Sequence, residues 1–126
     1  MNCLLDTHVF LWALAAPERL SNKAAAAIRN PDHAVFVSAV TSVEISIKRA
    51  LGKLEAPDGL ESEIAPRGFQ HLPLTYAHGE RLGKLPPHHH DPFDRMLIAQ
   101  ALEESLTLIT ADAKLRAYEA KLLFVK

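Results

Sequence analysis

Five short apolar runs, at residues 1–5, 34–37, 69–74, 107–110 and 122–125, constrain this chain more than any other feature. Each is too short for a buried helix and has the length of a buried strand. The stretches between them have helical spacing. Residues 7–16 carry Val9, Leu11, Trp12 and Leu14, and Ser21 is placed to cap an alanine-rich helix ending near Asn30. Ser38 or Thr41 caps a third helix with Val40, Val43, Ile47, Ala50 and Leu51 on its apolar side. Further helices are predicted over 75–82, over 92–104 behind Pro92, and over 112–119, while 55–67 holds turn formers and at most a short helix. Strands alternating with helices pair in parallel through crossovers. The predicted fold is a three-layer α/β/α sandwich with a central, mainly parallel five-stranded sheet.

A length of 126 residues gives one domain spanning 1–126. With 48% hydrophobic residues the chain can bury a core, yet no apolar run approaches the roughly 20 residues needed to span a bilayer. The N-terminus lacks the flank of a secretory signal, and the single cysteine, Cys3, reads as inert core in a reducing compartment. The expected location is the cytoplasm, with no membrane contact.

In an open α/β sheet, ligands bind beyond the carboxyl ends of the strands, where the strand order reverses. Four acids fall at that edge. Asp6 ends the first run, Asp112 follows the fourth by two residues, and Glu44 and Asp94 lie in the first turns of the helices after Ser38 and Asp91. Singly, each has a structural reading. Asp6 and Asp112 are good helix caps, as is the nearby Asp91, Glu44 is an ordinary helix charge, and Asp94 is favoured by the helix dipole. Together they repel one another, and a hard cation such as Mg²⁺ or Mn²⁺ relieves that repulsion. Acids with no other nucleophile point to metal-assisted phosphodiester hydrolysis. The net charge of −1 does not argue against a polyanionic substrate, because setting these four aside leaves eleven acidic residues against fourteen basic ones.

The segments Leu4-Leu5-Asp6-Thr7-His8, Ser42-Val43-Glu44-Ile45, Asp91-Pro92-Phe93-Asp94-Arg95-Met96-Leu97-Ile98-Ala99-Gln100-Ala101 and Leu108-Ile109-Thr110-Ala111-Asp112 occur in this order along nearly the whole chain. Together they resemble PIN-domain proteins, most closely the VapC-type toxins of bacterial toxin–antitoxin pairs. The resemblance implies a Mg²⁺- or Mn²⁺-dependent endoribonuclease with a cognate antitoxin, an RNA substrate and a homodimer. It makes Asp6 and Asp94 the principal metal ligands and Glu44 a ligand or the residue that positions the attacking water. Asp112 completes the pocket, and Thr110 and Thr7 support it. Asp91 is an alternative ligand to Asp94, which is favoured by its position relative to Leu97-Ile98-Ala99.

Lys48, Arg49 and Arg95 are placed to steer phosphate. His88-His89-His90 reads as loop, since adjacent residues point in different directions and do not converge on one ion. Two alternatives remain: a catalytically silent module of the same fold that binds RNA or protein, and a phosphoacceptor receiver domain. The latter lacks an acid at the end of its third strand, where Leu72-Pro73-Leu74 stands.

Overall fold

A computed structural model describes residues 1–125; Lys126, the last residue of the expected domain, lies outside the described residues. The five runs form β1 (Cys3–Leu5), β2 (Val35–Ser38), β3 (Gln70–Leu72), β4 (Thr107–Thr110) and β5 (Leu122–Phe124). They make one sheet in the order β3-β2-β1-β4-β5, and every pairing is parallel. Between them run α1 (Thr7–Ala15), α2 (Asn22–Arg29), α3 (Ala39–Ala50), α4 (Tyr76–Gly83) and α5 (Pro92–Glu104).

Strand side chains alternate between faces, so one strand feeds two cores. Cys3 and Leu5 of β1 join Val9 and Phe10 of α1 and Ala24 and Ala27 of α2 on one side. Leu4, between them, joins Val40 of α3 and Leu97, Ile98 and Ala101 of α5 on the other. That alternation makes the three layers. Leu4 is fully buried in the central strand. Leu4→Ala is expected to lower unfolding free energy by about 3 kcal/mol, measured by urea denaturation.

Caps fix where the helices start. Asp6 accepts from the backbone N–H of His8 and Val9, Ser21 from Ala24, Ser38 from Val40, and Asp91 from Phe93 and Asp94. Two expectations need correction. The stretch predicted as a helix over 112–119 is a 3₁₀ turn, Ala113–Ala117, too short to propagate. On α3 the buried face is Val40, Thr41, Glu44 and Ile45, while Val43, Ile47 and Leu51 are exposed. The apolar stripe of α3 therefore faces outward, because the polar residues are needed inside at the rim. No helix among the described residues is long and apolar enough to cross a membrane.

Candidate active site

β1 and β4 are neighbours in the sheet, and the chain leaves them at Asp6 and Asp112. The order runs leftward from β1 through β2 to β3 and rightward through β4 to β5, so these two acids flank the point where the order reverses.

Asp6 is 6% exposed, and both its oxygens are engaged. Oδ1 accepts from His8 N at 2.9 Å and Val9 N at 3.3 Å, and Oδ2 accepts from the Thr110 hydroxyl at 2.5 Å. Thr110 Oγ1 in turn accepts from Asp112 N at 3.1 Å. Asp6 thus caps α1 and holds a fixed carboxylate at the rim. The capping and site readings of this residue are compatible.

Glu44 projects from α3 toward α1. Its Oε1 accepts from the Thr7 hydroxyl at 2.6 Å, and Thr7 also shares a hydrogen bond with Thr41 at 3.1 Å. Lys48, one turn on, pairs with Glu44 Oε2 at 2.5 Å and with Asp91 Oδ2 at 3.2 Å. Asp91 Oδ1 caps α5, so both of its oxygens are committed.

Asp94 stands in the first turn of α5, where His89 Nε2 donates to its Oδ2 at 2.9 Å. The same nitrogen lies 3.4 Å from Asp112 Oδ2, while Asp112 Oδ1 caps the following turn by accepting from Lys114 N. The other expected basic residues point elsewhere. Arg49 binds Asp58 and the carbonyls of Ala56 and Pro57, and Arg95 donates to the carbonyl of Leu85.

The sequence profile of the PIN domain family matches residues 3–121. The chain belongs to the PIN domain family. It is 32% identical over 122 residues to Ribonuclease VapC22 of Mycobacterium tuberculosis, covering 91% of this chain and 90% of that protein. Its fold is similar to that in the crystal structure of VapBC2 from Rickettsia felis bound to a promoter DNA fragment (TM-score 0.76, 15% identity, 100% of both chains). FitAcB from Neisseria gonorrhoeae is similar in fold as well (TM-score 0.64, 20% identity, 96% of both chains).

The electrostatics of this PIN domain follow from burial first and from crowded charge second. Burial pushes the Asp94 carboxyl up to about 6, the nearby charges of Asp91, Asp6 and Glu44 push the same way, and the His89 hydrogen bond opposes them. Burial also raises Asp6, against the pull of its Thr110 and backbone donors. Asp91 goes the other way. Its burial is outweighed by backbone donors and Lys48, which hold it below the usual range. Lys48 is raised, because the desolvation that would lower it is outweighed by Glu44 and Asp91.

A carboxyl with a raised native pKa keeps a proton that the unfolded chain has already lost, so folding takes up that proton. Stability then falls as pH rises through the window from about 4 to 6. Asp91, lowered, acts only below that window. EDTA-treated protein is therefore expected to be about 1 kcal/mol more stable at pH 5 than at pH 7.5 through Asp94. Calorimetric melting at the two pH values checks this, and a higher melting temperature at pH 7.5 would contradict it.

The residue that sequence reasoning missed is His89. Read as loop, it turns inward onto two of the acids, whereas His88 stacks edge-on against Tyr118 at 5.2 Å. Only the alternation of neighbouring side chains within an extended segment hinted that one of the three would face the rim.

Proposed function

We propose that this PIN domain is a Mg²⁺- or Mn²⁺-dependent endoribonuclease and the toxin of a toxin–antitoxin pair, acting on RNA in the cytoplasm. The observation that carries the reading is its near-full-length likeness to a ribonuclease, in a chain whose acids crowd the switch point of the sheet. A rim where burial and three neighbouring carboxylates together raise Asp94 is a site short of positive charge. An oxygen-rich donor set of this kind fits a hard divalent cation.

Asp6 and Asp94 are the proposed principal ligands, with Asp112 completing the pocket. Asp91 ranks behind Asp94 because the Lys48 ammonium sits on its Oδ2 and opposes a cation there, whereas Asp6 is held only by neutral donors. Such an ion, when bound, supplies Lewis-acid polarisation of the phosphodiester and a more acidic water. The chain's own residues hold the geometry. Thr110 and two backbone N–H groups lock the Asp6 carboxylate, and Thr7 and Lys48 fix Glu44, either as a further ligand or as the acceptor that orients the attacking water. Lys48 leaves the rim less negative toward an approaching phosphate. Arg49 and Arg95, bound to neighbouring loops, contribute only if RNA displaces those contacts.

The proposed partners are a cognate antitoxin and a second copy of the chain. The outward Val43, Ile47 and Leu51 stripe supplies apolar surface for one of them. Induced expression in a host without the antitoxin is expected to arrest growth and degrade RNA, and Asp94→Asn to do neither. Unimpaired growth at equal protein levels would favour the silent binding module.

A further inference from the structure

Three consecutive histidines precede α5, and one of them has an environment unlike the others. His89 is 14% exposed at its side chain and aims a single nitrogen, Nε2, at the gap between Asp94 Oδ2 and Asp112 Oδ2. These two acids come from different elements, one from the first turn of α5 and one from the turn after β4. Ligand atoms of all three side chains lie within 4.8 Å of one another. Adjacent corners of an octahedron with bonds of about 2.1 Å are about 3.0 Å apart. The observed separations of 2.9 and 3.4 Å are close to that edge length.

We infer that His89 is a nitrogen ligand of the divalent ion held by Asp94 and Asp112, and that it biases this site toward first-row transition ions over Mg²⁺. The inference rests on the metal-dependent reading of the acidic rim. An imidazole with one N–H donates from Nε2 to the carboxylates without an ion. With the proton on Nδ1 instead, it offers a lone pair in the same direction. No large movement of the ring is needed to change from one role to the other. Mg²⁺ prefers an all-oxygen shell and dehydrates reluctantly, whereas a nitrogen donor adds affinity along the transition-metal series. An all-carboxylate rim makes this distinction more weakly. The histidine stands three residues before the helix opened by Pro92, with its Nε2 on Asp94 Oδ2. The Asp91 cap, and the Lys48 pair with Asp91, fix the end of that loop.

A competing role is that of a counter-charge, in which the imidazole merely occupies the gap until an ion displaces it. The two roles predict opposite effects of removing it. A displaced counter-charge obstructs binding of every cation alike, while a ligand strengthens binding of some.

The test uses untagged, EDTA-treated full-length protein loaded with Mn²⁺. Pulsed electron paramagnetic resonance is expected to show ¹⁴N coupling from a directly bound imidazole, lost in His89→Ala and retained in His88→Ala. In parallel titrations of Mn²⁺ and Mg²⁺, His89→Ala is expected to reduce the preference for Mn²⁺ on the order of tenfold. Bound Mn²⁺ without ¹⁴N coupling in the wild-type protein would overturn the inference while leaving the metal site intact. So would coupling that survives in His89→Ala, or equal tightening of both ions in that variant. Failure of the folded wild-type protein to bind either ion would remove the metal-dependent reading, and this inference with it.

Discussion

Asp94→Asn is expected to give a folded protein that melts higher than wild type without metal and cleaves RNA at least about a hundredfold more slowly. Both effects come from the same carboxylate. Burial first, and then the charges of Asp91, Asp6 and Glu44, raise its pKa to about 6. Asparagine keeps the shape and can still accept from His89, but it removes the charge that its neighbours oppose. The difference from an unfolded aspartate is about two pKa units, which sets a ceiling of about 3 kcal/mol on the gain at neutral pH. A rise of about 1–2 kcal/mol is expected after relaxation, together with loss of the pH-dependent stability between pH 5 and 7.5. Calorimetry of the EDTA-treated variant measures the first effect and fragment analysis of an RNA pool the second. Asp6→Asn is expected to behave differently. Three donors already point at the Asp6 oxygens, and an amide NH₂ would either confront the backbone N–H groups or leave the Thr110 hydroxyl without its acceptor. Removing that charge therefore brings no comparable stabilisation.

Lys48→Met is expected to have the largest destabilising effect of any change at the rim, about 3 kcal/mol at pH 7.5. The ammonium is the partner of Glu44, whose side chain is only 3% exposed, and it also holds Asp91. Methionine keeps most of the apolar stem and loses the ammonium, which also stands over the Phe93 ring at 5.7 Å, so the loss is chiefly electrostatic. It leaves a buried carboxylate with only the Thr7 hydroxyl as donor and adds unscreened charge beside Asp94. Two controls separate this account from simple loss of packing. Glu44→Gln in the Lys48→Met background should recover much of the stability, because no buried charge then lacks its partner. Saturating Mn²⁺ should also stabilise Lys48→Met more than wild type. A cost that Glu44→Gln leaves unchanged would show that Lys48 acts through packing alone.

Much of the fold was readable because strand and helix signals agreed with one another. Apolar runs that end abruptly at Asp6 and Ser38 marked both the strand ends and the helix caps, and the acids inherited their positions from those boundaries. α3 was harder. Val43, Ile47 and Leu51 have the spacing of a core face, but Thr41, Glu44 and Lys48 are drawn inward by their polar partners, and the stripe is left outside. Periodicity reports which residues share a face and does not say which face is buried. His89 was illegible for a related reason. Nothing in a loop of three histidines says which ring turns toward Asp112, more than twenty residues away in sequence. The same limit applies to Arg49 and Arg95. Their charge suggested phosphate contacts, while their reach is taken up by Asp58 and the Leu85 carbonyl.

The most direct test of the central claim is cleavage of a mixed small-RNA pool by EDTA-treated protein, before and after Mn²⁺ is restored, with Asp94→Asn in parallel. Discrete fragments that appear only with Mn²⁺, and only with the wild-type chain, are expected. Cleavage that persists in EDTA, or that Asp94→Asn performs equally well, would contradict an active site built on these carboxylates.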